Sequence, residues 1–192
     1  MTDQVYTIRN GQDMDAAFAR LSAYDWNEAI LCFHEDLLNG YLREQVLPRL
    51  AKLQADSLTT DFEEPDRLDI RAHSTLTGGM QLTYRMQIES FVFRPGMHAL
   101  VFTYKEEADM GVLGFFGGLA KKASGQTYLQ MAVKENEVVQ VTSDRIAVDL
   151  EQIPEIKSAL QWEYRGKTLG RDMRMDNIGC VNDCCCFRLL LS

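Results

Sequence analysis

The chain lacks any run of about 18 apolar residues, the length a bilayer-spanning helix requires. No basic segment followed by an apolar core opens it. The first residues read MTDQVYTIRNGQD, which argues against a secretory leader and makes the cytoplasm the expected location. Positive charge is in short supply: 20 Lys and Arg stand against 28 Asp and Glu, a formal net charge of −8. A phosphate backbone needs a basic face, so broad nucleic-acid binding is not expected. The same balance resists nonspecific attachment to anionic lipid headgroups and favours solubility.

Catalytic motifs are missing as well. Histidine occurs only as His34, His73 and His98, and no His-Glu-x-x-His is present. His73 and His98 fall on strand patterns and read as solvated residues. Gly111, Gly114, Gly117 and Gly118 suggest a phosphate loop, but Lys121 and Lys122 come too late for the Gly-x-x-x-x-Gly-Lys spacing. A Gly-x-Gly-x-x-Gly fingerprint is absent too. No Ser or Cys stands in a recognisable nucleophile setting, so the chain reads as a non-enzyme without a cofactor. The acidic cluster Asp61, Glu63, Glu64 and Asp66 lacks cation-loop spacing and reads as a solvated loop before a hairpin.

Five cysteines, an odd number and unevenly placed, do not read as a disulfide framework. Cys32 stands alone, while Cys180, Cys184, Cys185 and Cys186 crowd together. Cys180 and Cys184 miss the Cys-x-x-Cys spacing of zinc ligands. Consecutive Cys184, Cys185 and Cys186 would alternate faces on a strand, so they read as small buried hydrophobes, with no metal expected.

What the chain does contain is periodicity. Asp13 to Tyr24 places Ala17, Phe18 and Leu21 at helical spacing, with Asp13 able to cap the start. Asp25 to Phe33 fits a helix end or a short strand. Glu35 to Ser57 carries a stripe of Leu38, Tyr41, Leu42, Val46, Leu50 and Leu53, which predicts a long amphipathic helix kinked before Pro48. Leu68, Ile70 and Ala72 then alternate with polar residues, as do Met80, Leu82, Tyr84, Met86 and Ile88. This period of two marks half-buried strands joined at Gly78-Gly79. Arg94-Pro95-Gly96 turns into a third strand, Met97 to Glu106. Further strands are expected over Thr127–Lys134, Glu137–Thr142 and Arg145–Leu150. A short helix is expected at Pro154–Trp162, and a hairpin over Arg171–Ile178 and Cys184–Leu191 through Asn182-Asp183.

Between the strand groups, Met110 to Gly125 (MGVLGFFGGLAKKASG) is the most apolar and glycine-rich passage. It fits a helix covering the core, a flap over an apolar cavity, or a surface meeting lipid.

His34-Glu35-Asp36-Leu37-Leu38-Asn39-Gly40-Tyr41-Leu42 resembles the helix start of small bacterial relatives of the tubular lipid-binding (TULIP) superfamily. Asp144 to Leu150 and Cys185 to Leu191 are similar to its alternating strands. The resemblance covers about Phe33 to Leu191 and implies an apolar groove, between a long helix and a curved sheet, that holds lipid tails.

These readings combine into one expectation for residues 1–192: a single α+β domain. N-terminal helices, including one long amphipathic helix, would pack against a large, strongly curved antiparallel sheet. The expected function is noncatalytic binding of a lipid or other hydrophobic ligand. The lining residues would be Leu82, Tyr84, Met86, Leu100, Phe102, Leu113, Phe115, Phe116 and Leu119. Peripheral membrane contact fits this reading. The alternative is a protein-interaction or homo-oligomerisation module that uses the apolar segment 110–125.

Overall fold

A computed structural model describes residues 4–48, 55–63, 65–75, 79–109, 129–130 and 138–191. The chain begins with a strand rather than a helix: β1 (Gln4–Ile8) runs through α1 (Gly11–Ala23) into β2 (Glu28–His34). β1 and β2 pair in parallel, so the chain must cross over between them, and α1 is that crossover. Asn10, not Asp13, caps α1, its side chain accepting the Asp13 N–H at 3.0 Å. The ambiguous stretch after α1 is therefore a strand, with Ala29 and Leu31 buried.

The expected long helix is not formed. Helix α2 covers only Glu35–Tyr41, and a wider π-helical turn follows over Leu42–Val46. Gly40 weakens the helix from within, and Pro48 removes a donor and crowds the carbonyl one turn earlier. Ala55–Glu63, which overlaps the end of the predicted helix, is instead strand β3. Its β-branched Thr59-Thr60 pair favours an extended backbone, and pairing with β4 (Arg67–Ser74) supplies the tertiary contacts that fix it as a strand.

β5 (Met80–Arg94) and β6 (Met97–Asp109) form the long central ribbon. Gly96, at φ +73°, gives the tight turn between them a backbone that a side chain would resist. β7 (Val139–Val141) and β8 (Arg145–Asp149) follow, then α3 (Pro154–Ala159) with proline in its first turn. A small ribbon of β9 (Glu163–Tyr164) and β10 (Lys167–Thr168) leads into α4 (Leu169–Asp172). The final hairpin is β11 (Met173–Val181) and β12 (Cys184–Leu191). It turns at Asn182-Asp183, both at positive φ as a primed hairpin turn demands. The strand expected at Thr127–Lys134 is not seen at Leu129 and Gln130, which are helical; its other residues lie outside the described ones.

Ten of these strands make one sheet in the order β1-β2-β12-β11-β5-β6-β8-β7, with β4 also on β5 and β3 on β4. The sheet is mixed because of the parallel β1–β2 pair, which corrects the expectation of an antiparallel one. β5 is the branch point. Its first half, Met80 to Gln87, pairs with β4, and Phe93 near its end pairs with Met175 of β11.

Directly paired residues share a face, so the register defines an inner and an outer side. The inner side is mostly apolar, with Thr60, Ser74 and His98 its buried polar residues among those described, and its apolar side chains divide into two clusters. In the first, Ile8, Leu21, Leu31, Met173 and Leu189 are fully buried. It is covered by α1, Trp26, Leu150, Leu160 and Tyr164. The Trp26 indole donates to the Leu21 carbonyl (2.9 Å), and the Tyr164 hydroxyl donates to the Tyr24 carbonyl (2.7 Å), so both rings are buried with their polar atoms satisfied.

The outer side of β3 to β6 is a lattice of ion pairs. Arg67 bonds both Glu63 (3.0 Å) and Asp69 (2.8 Å), Arg71 bonds Asp61 (3.3 Å), and Arg85 bonds Glu107 (3.0 Å). Most of these are exposed and contribute little each. Asp69 is the exception, at 3% exposure. The Arg67 guanidinium bonded to it holds its carboxyl below the ordinary 3.8. Asp61 and Glu63 of the predicted acidic loop thus belong to a strand, while Asp66 occupies the turn at φ +57°. No helix among the described residues is long and apolar enough to cross a membrane.

Candidate functional site

The second inner cluster gathers the residues singled out as apolar lining. Leu82, Tyr84 and Met86 of β5 and Phe102 of β6 are buried together with Leu68, Tyr104 and Ile146, and Leu100 packs against them half-buried. The strand register brings this about. Met86 faces Tyr104, Ile88 faces Phe102, Leu68 faces Met86 and Ile146 faces Phe102. Among the described residues, the apolar side chains that reach this cluster from outside the sheet are Leu38 of α2 and Leu129, while the Tyr104 hydroxyl donates to the Thr142 carbonyl (2.9 Å). The other four predicted lining residues, Leu113, Phe115, Phe116 and Leu119, lie with the whole segment 110–125 outside the described residues.

Helix α2 is held over this region by its polar side chains. Asn39 Oδ1 accepts the Thr60 N–H (2.6 Å) and the Thr60 hydroxyl (3.0 Å), while Asn39 Nδ2 donates to the Thr60 carbonyl (3.2 Å). One side-chain amide thereby satisfies both backbone groups of an edge-strand residue, as a neighbouring strand would. Four residues earlier on the same helix face, Glu35 Oε2 accepts the Phe62 N–H at 3.4 Å. Glu35, Leu38 and Asn39 are thus the docking residues of α2. Sequence spacing shows them only as a helix start, because their partners lie more than 20 residues away.

Glu35, Asp61 and Asp183 bring carboxylate oxygens within 4.8 Å of one another. Of the three, Asp61 pairs with Arg71 of β4 and Glu35 accepts the Phe62 N–H.

A separate cleft of about 430 Å³ opens at β6, β7 and β8. Ala99 and Ala147 line it beside Met97, Gln140, Asp149 and Glu151. It contains none of the predicted lining residues. Beside it, His98 is 5% exposed, a correction to its reading as a solvated strand residue. Its Nδ1 lies 2.7 Å from Glu151 Oε1, its ring meets Phe93 edge-on at 4.5 Å, and its buried Nε2 has no hydrogen-bond partner among the described residues. The period-two pattern of β6 already placed His98 on the same face as Leu100 and Phe102, and that parity was the available signal of burial. His73 does stay exposed, 2.7 Å from Asp56.

The cysteines alternate as expected and are all buried. Cys180 and Cys185 are opposite one another across the final hairpin. The hydrogen bond between their thiols lowers Cys180 and raises Cys185 from the ordinary thiol range. On the opposite face, Cys186 stands directly across from Cys32 of β2, with Cα atoms 4.0 Å apart, and the two form a disulfide. This overturns the reading of Cys32 as isolated. Pairing over a separation of 154 residues leaves no trace in local spacing.

Comparison with family models, curated proteins and solved structures finds no match. The likeness to the TULIP superfamily therefore rests on the quoted residues alone.

Proposed function

We propose that the protein is a noncatalytic binding module that takes a lipid tail or another hydrophobic ligand against the inner face of β4, β5 and β6. The observation that carries this reading is the convergence of Leu82, Tyr84, Met86, Leu100 and Phe102 in one apolar cluster. Among the described residues, its apolar contacts from outside the sheet come from two leucines. Met80 and Met86 add flexible side chains that can repack around a guest. The likeness of His34 to Leu42 to a lipid-binding superfamily supports the same ligand class. The long helix which that likeness implies is not formed, so the reading rests on the sheet face rather than on a helix–sheet groove.

The test is organic extraction of the purified full chain followed by mass spectrometry, together with titration by an environment-sensitive fluorescent fatty acid. A copurifying lipid and saturable fluorescence at one equivalent are expected. Clean extracts together with no saturable signal overturn the reading.

A further inference from the structure

We propose that, once the Cys32–Cys186 disulfide is reduced, Cys32, Cys184, Cys186 and His34 form a binding site for a thiophilic divalent metal such as zinc. The proposal rests on strand register. Cys32 and His34 are two apart on β2, Cys184 and Cys186 are two apart on β12, and the strands pair Cys186 with Cys32 and Cys184 with His34. Side chains two apart on a strand share a face, and so do direct partners. The four residues therefore occupy a two-by-two block on one side of the sheet, every member of which is a ligand type for zinc.

All four are buried: Cys32 and Cys184 at 8%, Cys186 at 4% and His34 at 9%. Cys32, Cys184 and Cys186 pack as a cluster of their own, apart from the two main cores, with Ile30 their one apolar neighbour among the described residues. Small hydrophobes would serve burial alone; three thiols and an imidazole in one block are what a soft metal requires.

The dimensions suit a tetrahedral ion. A zinc–sulfur bond of about 2.3 Å sets sulfur–sulfur separations of about 3.8 Å. Direct partners with Cα atoms 4.0 Å apart meet this without backbone movement. Residues two apart on a strand, about 6.8 Å between Cα atoms, meet it by leaning together. His34 Nε2 accepts from Arg9 Nη1 (3.0 Å) in the tautomer that carries its proton on Nδ1, where Asp36 Oδ2 lies 3.1 Å away and accepts it. To ligate, Nε2 leaves Arg9, which keeps its bond to Asp36 at 3.0 Å. Arg9 then stands beside a centre of three thiolates and one divalent ion, whose net charge is −1, and offsets it.

The disulfide and the metal exclude each other. Reduction by a phosphine breaks the sulfur–sulfur bond, both sulfurs take protons, and the phosphine becomes its oxide with oxygen from water. Metal binding then releases the three thiol protons.

Cobalt(II) is the probe, added to the full chain reduced with tris(2-carboxyethyl)phosphine. The expected result is the visible spectrum of tetrahedral cobalt–thiolate, saturating at one equivalent, displaced by zinc and absent from the oxidised chain. Cys184→Ser and His34→Asn each weaken cobalt binding by at least about tenfold, whereas Cys180→Ser, on the other face, leaves it unchanged. On the unsubstituted reduced chain, zinc raises the melting temperature and protects Cys32, Cys184 and Cys186 from alkylation, which keeps the test valid where a variant fails to fold. No saturable cobalt spectrum in the reduced chain, zinc protection that falls on Cys180 and Cys185 instead, or unchanged affinity in folded Cys184→Ser overturns the proposal.

Discussion

Replacing Asn39 with alanine tests whether one side chain secures the edge of the sheet. The substitution removes three hydrogen bonds at once: from the Thr60 N–H, from the Thr60 hydroxyl and to the Thr60 carbonyl. Thr60 is 5% exposed, so water does not readily replace the lost partner. A buried backbone group left without a partner costs about 1–3 kcal/mol. Two such groups, with some relaxation at the edge, give about 3 kcal/mol. Alanine is the better helix former by about 0.6 kcal/mol, which offsets part of the loss. The net expectation is about 2 kcal/mol, or a fall in melting temperature of about 4–8 °C for a domain of this size. Denaturant unfolding followed by fluorescence of Trp26 and Trp162 measures it. Asn39→Asp keeps the acceptor and loses only the donor, so it should cost about half as much. Thr60→Val removes the hydroxyl bond alone and should cost least. A loss below about 0.5 kcal/mol for Asn39→Ala, within the range of an ordinary surface change, would refute the edge-docking role.

Leu189→Ala empties a fully buried position in the first core and should cost about 3 kcal/mol by denaturant unfolding. Val5→Ala, at a position 57% exposed, should stay within about 0.5 kcal/mol. Asp69 has a folded pKa below its ordinary 3.8, so its ionised form stabilises the fold above that value, and the contribution disappears as pH falls through the folded pKa. A stability profile of Asp69→Asn should therefore be flatter than that of the unsubstituted chain from pH 4 downward. Asp183→Gly places the preferred residue at a primed turn and removes one of three clustered carboxylates; it should raise stability by up to about 1 kcal/mol in the same assay.

Local chemistry in the sequence was enough wherever an element is defined by its own residues. The alternation in β5 and β6, the proline at the start of α3 and the Asn-Asp turn of the last hairpin all correspond to observed elements. The helical stripe marks Leu38, Tyr41, Leu42 and Val46, which are helical, but it gives no sign of the π-helical turn or of the strand that begins at Ala55; Leu50 and Leu53 lie outside the described residues. Pairing of Leu58 with Ala72 and Thr60 with Ile70 decides in favour of β3, and neither partner is visible in a local window. The apolar cluster was legible as five residues on one sheet face, since parity alone assigns a face. Its neighbours Leu68 and Ile146 come from strands more than 70 residues apart, and only the register unites them. The disulfide and the Asn39–Thr60 contact are non-local in the same way.

The place of β12 in the sheet bears on how the chain assembles during synthesis. β3 to β6 are consecutive hairpins and can pair as soon as they leave the ribosome. β2 gains its β12 neighbour only after Cys186 has followed Cys32 out by 154 residues. Until then β2 offers β1 on one side and an open edge on the other, next to Ala29 and Leu31, which later form the core. Such an edge recruits other strands. The nascent chain is therefore exposed to misassociation at β1 and β2 throughout the synthesis of the 154 residues that separate the two cysteines, and a chaperone that shields β1 and β2 would raise the folded yield more than one acting on the central ribbon.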